Sequence, residues 1–376
     1  MHERGTLGPA DVSDEVLAGM VADLLGVDGV ELVASRAEEV PYDIPAITTG
    51  GRYWVRGAAV VDGDTRDFTL FVKHVHEWSR SALFESVPED IRSWAARLVP
   101  WRTEGAVYRS DLASRLPVGL SMPRSLGVHD IDELSYAVWL EAVPAVPVTW
   151  DLDRYRQAAY LLGRFAGSGA VRDLCRVGEL DWDVSMYVEG RLAHQVLPVL
   201  GSDEVWRHPL VAESFGGLRD RLQTAMEQVP SITAELRGFP VLAGHGDGCP
   251  NNLLVRPDRD GFTMIDFGFF MGLPLGFDLG QLLVGDVQLG RHGSHDLAER
   301  DAACVAAYHD GLLAEGVEVE VGSVRRAHAL HLLLFSGLSS VPFDLLDQEP
   351  TPQLRGVAAS RAEIGRFSLD LLDATA

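Results

Sequence analysis

The rhythm of apolar and polar positions changes partway along this chain. Residues 11–26 repeat apolar side chains at helical spacing, with Val12, Val16, Met20 and Leu24 on one stripe. Asp11 or Ser13 is placed to cap that helix and Gly26 to close it. From there to Val61 the pattern is strand-like. The run Ile47–Tyr53 followed by Trp54–Val61 predicts two antiparallel strands joined by a glycine-containing turn at Thr48–Gly51. Asp62-Gly63-Asp64 predicts a hairpin into the alternating run Phe68–Lys73, which is expected to end at the lysine.

Ser86-Val87-Pro88-Glu89 predicts the start of a helix near 86–99 that buries Ile91, Ala95 and Leu98. A second helix is expected from Thr103 to Leu116, carrying Glu104, Val107, Tyr108 and Leu112. Tyr136–Val143 is expected to be a buried strand, stopped by Pro144 and Pro147. Beyond Asp151 the period is helical: Tyr155, Ala158, Ala159, Leu162 and Phe165 share a stripe, and further helices are expected at 212–228, 296–315 and 323–339. The fold class that follows is α+β, with a small β-rich lobe over 1–143 and a larger α-helical lobe over 144–376.

Composition narrows the classes. With 376 residues, 47% hydrophobic, the chain has ample material for packed cores. A formal net charge of −23 argues against binding a nucleic-acid backbone or an anionic membrane surface. Cys175, Cys249 and Cys304 are far apart, which implies neither a disulfide framework nor a zinc site. No apolar run approaches the ~20 residues of a membrane span, and Met1-His2-Glu3-Arg4 lacks a signal-peptide design. A reduced cytoplasmic enzyme is the expectation.

The chemistry concentrates in His245-Gly246-Asp247-Gly248-Cys249-Pro250-Asn251-Asn252, followed by Ile265-Asp266-Phe267-Gly268. Leu253–Val255 and Phe262–Ile265 are short apolar strands joined by Pro257–Gly261, a hairpin that returns Asp266 alongside Asn252. H-x-D-x-x-x-x-N, hairpin, then D-F-G is the signature of phosphoryl transfer. Asp247 would accept the proton of an attacking hydroxyl, while Asn252 and Asp266 would hold Mg²⁺ against nucleotide phosphates. Independently, the 32 Lys and Arg residues include one lysine, Lys73, at the strand position where such a fold grips the α- and β-phosphates. Glu104 is the candidate partner that orients Lys73, with Glu85 and Glu89 as rivals. Thr49, Gly50 and Gly51 are the candidate loop over the nucleotide, although a glycine pair in a hairpin is also an ordinary turn. By the kinase pattern, Leu140 would flank the purine, and the Glu141 carbonyl and Val143 N–H would bond it.

Gly244 to Leu283 resembles the aminoglycoside phosphotransferase and choline kinase-like families: H-G-D-x-x-x-x-N, then I-D-F, then Gly272-Leu273-Pro274-Leu275-Gly276-Phe277-Asp278-Leu279. The resemblance implies a bilobal protein-kinase-like fold, ATP or GTP as donor, Mg²⁺, and a small-molecule hydroxyl as acceptor, in a monomer or homodimer. It makes Asp278 a structural acid beneath the catalytic loop and His245 the residue that orients it. Antibiotic inactivation is the expected purpose, with an aminoglycoside, nucleoside or other glycosylated compound as acceptor; a metabolic sugar or amino-alcohol kinase is the alternative. The acids Asp278, Asp286, Asp296, Glu299, Asp301 and Asp310 would suit a cationic acceptor or form a solvated helix face. A protein kinase fits less well, because Gly246 replaces the usual Arg and no A-P-E follows Asp266. In a catalytically silent scaffold, loss of at least one of Lys73, Asp247, Asn252 and Asp266 is expected. Cys249-Pro250-Asn251 replaces the relatives' H-P-G, at the part of the loop that would face the acceptor.

Overall fold

A computed structural model describes residues 2–42, 46–178 and 180–376; residues 43–45, inside the stretch read as strand-like, lie outside the described residues. The chain divides into two compact units. The first comprises Met1–Arg115, Ser121–Ala145 and Val177–Glu179; the second comprises Leu116–Leu120, Val146–Arg176 and Leu180–Ala376.

In the first unit, six strands among the described residues form one sheet: β1 (His2–Glu3), β2 (Glu31–Glu39), β3 (Thr49–Val61), β4 (Asp64–His76), β5 (Ser125–Asp132) and β6 (Ser135–Glu141). Their order is β1-β2-β3-β4-β6-β5, antiparallel except for the β1–β2 pair. Asp62 and Gly63 both have positive φ, 53° and 91°, and make the tight turn between β3 and β4 that the sequence predicted. Strand alternation gives the sheet two faces. Phe68, Leu70, Val72, Ala137 and Trp139 pack on the helix Asp14–Leu25 through Leu17, Met20 and Val21. Ser13 caps that helix and Gly26 ends it at φ 68°. The buried stripe is offset from the predicted one, and Val16 is exposed. A residue at i+1 of the expected stripe is only 100° away, so a mixed apolar helix admits both readings.

Three further expectations are corrected. Gly50 and Gly51 are not a turn but part of β3, a single strand of 13 residues. A bulge lies there, with Thr49 opposite Val75 and Gly51 opposite His74. A side chain at Gly50 would meet the His74 ring at 2.7 Å, which explains glycine without a turn. The region 82–91 is short 3₁₀ turn, and the inserted helix is only Arg92–Leu98. The helix from Thr103 stops at Arg109, where Ser110 turns extended and bonds the Val107 carbonyl at 2.7 Å; a separate turn, Leu112–Arg115, follows.

The second unit is helical, with two small sheets. Leu152–Gly167 buries the predicted Tyr155, Ala158, Ala159, Leu162 and Phe165, and Asp151 caps it. It crosses Leu297–Ala314 at near-contact distance: a Cβ on Gly163 would lie 2.1 Å from the Tyr308 carbonyl oxygen, and one on Gly311 2.1 Å from that of Tyr160. Helices at Pro209–Phe215, Arg219–Glu227 and Val321–Leu332 match the later periodic segments; Val229–Leu236 and Phe277–Gln288 were not foreseen. β7 (Val241–Gly244) pairs antiparallel with β10 (Met271–Pro274), and β8 (Leu253–Leu254) with β9 (Phe262–Met264). Among the described residues no helix is long and apolar enough to cross a membrane.

Two glycine substitutions should move stability in opposite directions. Gly163→Ala overpacks the helix crossing and should cost about 1–3 kcal/mol. Gly19→Ala, inside an exposed helical stretch with nothing within 4 Å of its Cβ, should gain up to about 1 kcal/mol. Chemical denaturation of both variants beside the parent checks the pair; a neutral Gly163→Ala would contradict the crossing.

Candidate active site

Lys73 lies within β4 rather than at its end, flanked by Arg52 on β3 and Val138 on β6. The strand continues to His76 because the apolar and pairing pattern runs on through Val75. The ammonium is buried, and Nζ bonds Glu104 Oε2 at 2.6 Å. Glu104 is itself buried, whereas its rivals Glu85 and Glu89 are exposed. Tyr136 explains the delivery of Glu104. It shares the Lys73 face of the sheet, two residues along β6 from Val138. Its hydroxyl accepts from Gly105 N–H at 3.0 Å and donates to the Trp101 carbonyl at 2.7 Å. The start of the Thr103–Arg109 helix is thus tied to the sheet beside Lys73. The sequence marks Tyr136 only as a strand residue; its alternation with Val138, which pairs with Lys73, places it on the Lys73 face.

Leu140 is buried in β6 and Glu141 is its last residue. Glu141 N–H donates to the Arg124 carbonyl at 3.0 Å, and Arg124 N–H to Glu141 Oε1 at 3.1 Å, which pins the end of the strand. Val143 follows in extended chain. Thr49, Gly50 and Gly51 stand at the start of β3.

In the second unit the loop after β7 is held from below. Asp278, in the first turn of Phe277–Gln288, accepts from His245 N–H and Gly246 N–H, both at 2.8 Å. Burial raises its pKa, while His245 and these two backbone donors act to lower it. His245 ties the loop to the hairpin: Nδ1 accepts from Asp247 N–H at 3.3 Å and Nε2 donates to the Ile265 carbonyl at 3.0 Å. These two bonds set the tautomer with the proton on Nε2. β8 and β9 then pair as predicted, Met264 opposite Leu253, and Ile265 N–H donates to the Asn252 carbonyl at 3.1 Å.

Asn252 Nδ2 donates to the Asp247 carbonyl and to Asp247 Oδ2, both at 2.9 Å, so its amide oxygen is the atom it can offer elsewhere. Asp266 has φ 63°, ψ 63°, a left-handed conformation that costs an L-residue about 1–2 kcal/mol. Asp247 feels it: burial first, then the Asp266 charge, pushes the Asp247 pKa up. The Asp266 carboxylate and the Asn252 amide oxygen are oxygen donors suited to a hard divalent cation that keeps waters and phosphates as its other ligands, with Asp247 beside them. Beside them, burial and the Asp247 charge raise the Cys249 thiol, so it is a neutral group at this loop position. Three of the six acids proposed for a cation are committed elsewhere: Asp278 to the loop, Asp296 to Arg300, and Asp301 to His328 Nε2 at 2.9 Å. Asp286 remains half-buried, with a raised pKa caused by burial, while Glu299 and Asp310 are exposed.

The sequence model described as the phosphotransferase enzyme family matches residues 70–317, two-thirds of the chain and all of the residues just described from Lys73 to Asp278. The chain belongs to this family. It is a phosphotransferase. Among solved structures it is similar to the amicoumacin kinase hAmiN in complex with AMP-PNP, Ca²⁺ and Ami, at 13% identity over 88% of each chain with a TM-score of 0.47. It is also similar to the aminoglycoside phosphotransferase APH(3'')-Id of Streptomyces rimosus, at 16% identity over 79% of this chain and 91% of that one, TM-score 0.41. A Plasmodium vivax ethanolamine kinase matches at 9% identity over 90% and 82%, TM-score 0.43. Such distant likeness identifies no acceptor. A comparison with curated proteins finds no match.

The carboxylate pair yields a measurable titration. Because Asp266 raises the Asp247 pKa, Asp266→Asn should lower the Asp247 midpoint, and added Mg²⁺ should lower it in the parent. Carboxyl ¹³C NMR of labelled aspartates reads both; a midpoint indifferent to each would separate the two groups.

Proposed function

We propose that the chain transfers the γ-phosphate of ATP to a hydroxyl of a small molecule, and that the purpose is inactivation of a hydroxyl-bearing antibiotic. The observation that carries the reaction is the partly buried Asp247, whose carboxylate is oriented by Asn252 and whose proton affinity is raised by desolvation and Asp266. A base with such a raised pKa takes a proton more readily than an exposed aspartate. Asp247 receives the acceptor's hydroxyl proton as its oxygen bonds the γ-phosphorus. The bond from that phosphorus to the bridging oxygen breaks, and the nucleoside diphosphate leaves.

Lys73, fixed by Glu104, contributes a point charge to the α- and β-phosphates. Leu140 and the backbone of Glu141 and Val143 take the purine, and Thr49, Gly50 and Gly51 contribute backbone near the phosphates. Asn252 and Asp266 would hold Mg²⁺, which supplies charge neutralisation at the phosphates when bound. His245 and Asp278 do no chemistry; they keep the Asp247 backbone in place.

Asp247→Asn keeps the shape and removes the base. It should lower kcat by about 10²–10⁴-fold while leaving Mg²⁺-nucleotide affinity near the parental value. Asp266→Ala should instead remove the Mg²⁺ dependence of nucleotide binding. Coupled detection of ADP with a panel of antibiotics and sugars, and calorimetric titration of ATP and GTP with and without Mg²⁺, check both. Near-normal turnover in Asp247→Asn would exclude this mechanism.

A further inference from the structure

The second unit holds an aromatic cluster that the phosphoryl-transfer residues do not use. Tyr187 stacks on Phe335 with ring centroids 4.0 Å apart, Phe277 meets Phe335 edge-on at 5.1 Å, and Trp182 meets Phe277 edge-on at 5.8 Å. All four rings are only partly buried. Behind them His331 is 2% exposed and packs against Phe277 at 5.0 Å and Phe335 at 5.7 Å. Neither His331 ring nitrogen has a hydrogen-bond partner. Burial pushes its pKa down to about 3, so it is a neutral donor and acceptor. A buried polar group left unpaired costs free energy, and most such groups in proteins are satisfied.

Two other observations mark the same place. The backbone takes π-helical turns over Val188–Val196, directly after Tyr187 and broken by a kink at Gly190, and over Leu333–Gly337, which contains Phe335. π-Helical turns are uncommon and concentrate at functional sites. The cluster is also continuous with the catalytic loop. Phe277 is the covalent neighbour of Asp278, whose carboxylate holds His245 and Gly246.

We propose that this cluster seats the acceptor: a flat, uncharged ring of the substrate packs on Trp182, Tyr187, Phe277 and Phe335, and His331 hydrogen-bonds a polar atom of that ring system. The inference rests on the phosphotransferase reading and deepens it by naming the acceptor class, neutral ring-bearing hydroxyl compounds rather than polycationic aminosugars. Charge supports the choice. Asp183 is paired with Arg237, Asp278 with the loop backbone and Asp301 with His328, and His331, the polar group behind the rings, is itself neutral.

The test compares phenyl β-D-glucoside with methyl β-D-glucoside, which lacks the ring, and with kanamycin and choline as cations. Binding is read by ligand-observed NMR and by the His331 ring signals of protein labelled at histidine, assigned with His331→Phe. The phenyl compound should bind roughly tenfold tighter than the methyl compound and move the His331 signals. Phe335→Leu should erase that preference, and Tyr187→Phe, which keeps the ring, should retain it. Equal or absent binding of the two glucosides, silent His331 signals, or displacement of the phenyl compound by kanamycin or choline would overturn the proposal. Dimerisation abolished by Phe335→Leu would also overturn it, by assigning the cluster to a second copy of the chain. Mg²⁺-nucleotide binding measured on the same sample keeps the two readings apart: nucleotide binding without ring preference refutes only the acceptor class.

Discussion

The carboxylate of Asp278 sets the geometry of the catalytic loop. Two consecutive backbone N–H groups, at His245 and Gly246, end on it at 2.8 Å. A loop that leaves a strand and must present a side chain one residue later has few ways to satisfy its own amides, and a buried acid supplies one. With the loop fixed there, the His245 ring can reach both Asp247 N–H and the Ile265 carbonyl, joining the two chemically important segments through one imidazole. The positive φ at Asp266 follows from the same constraint. The chain must turn sharply after Ile265 is anchored, and the surrounding contacts hold the strained residue in place. A carboxylate whose charge raises the proton affinity of Asp247 is then kept beside it by the fold, an arrangement that makes sense when a cation and a transferable proton are the business of the site.

The first unit solves a different problem, that of burying a cation without stranding it. Lys73 and Glu104 are both buried, and an ion pair in such surroundings is stable only when both members are positioned and no third charge is left over. Tyr136 does the positioning by fastening the helix start to the sheet. We propose this pair as a primed phosphate contact: the ammonium is already desolvated and aimed, so little reorganisation is left for ligand binding. In a chain whose other 31 basic residues are arginines, the compact ammonium stands at this one position.

Much of this was legible because it depends on local chemistry. Asp62-Gly63 has the residues its turn demands, Ser13 and Gly26 bracket their helix, and the Asp247–Asn252–Asp266 spacing implies a hairpin that β8 and β9 form. Errors arose where one local signal serves two structures. Gly50-Gly51 satisfies a turn or a bulge equally, and the His74 ring, 24 residues on from Gly50 by sequence number, selects the bulge. The apolar spacing of 103–116 continues through Ser110, but the Ser110 hydroxyl bonds back to Val107 and ends the helix. The aromatic cluster was not legible at all, since Trp182, Phe277 and Phe335 meet only through tertiary packing.

We propose that nucleotide phosphates bind at Lys73 in a phosphoryl-transfer site. With one lysine in the sequence, protein labelled with ¹³C,¹⁵N-lysine gives a single side-chain spin system. Titration with Mg²⁺-ATP, with saturation established separately by equilibrium dialysis, should shift the Lys73 Cε and Nζ signals in a saturable way that follows the binding curve. An unchanged lysine signal at full occupancy would contradict the account.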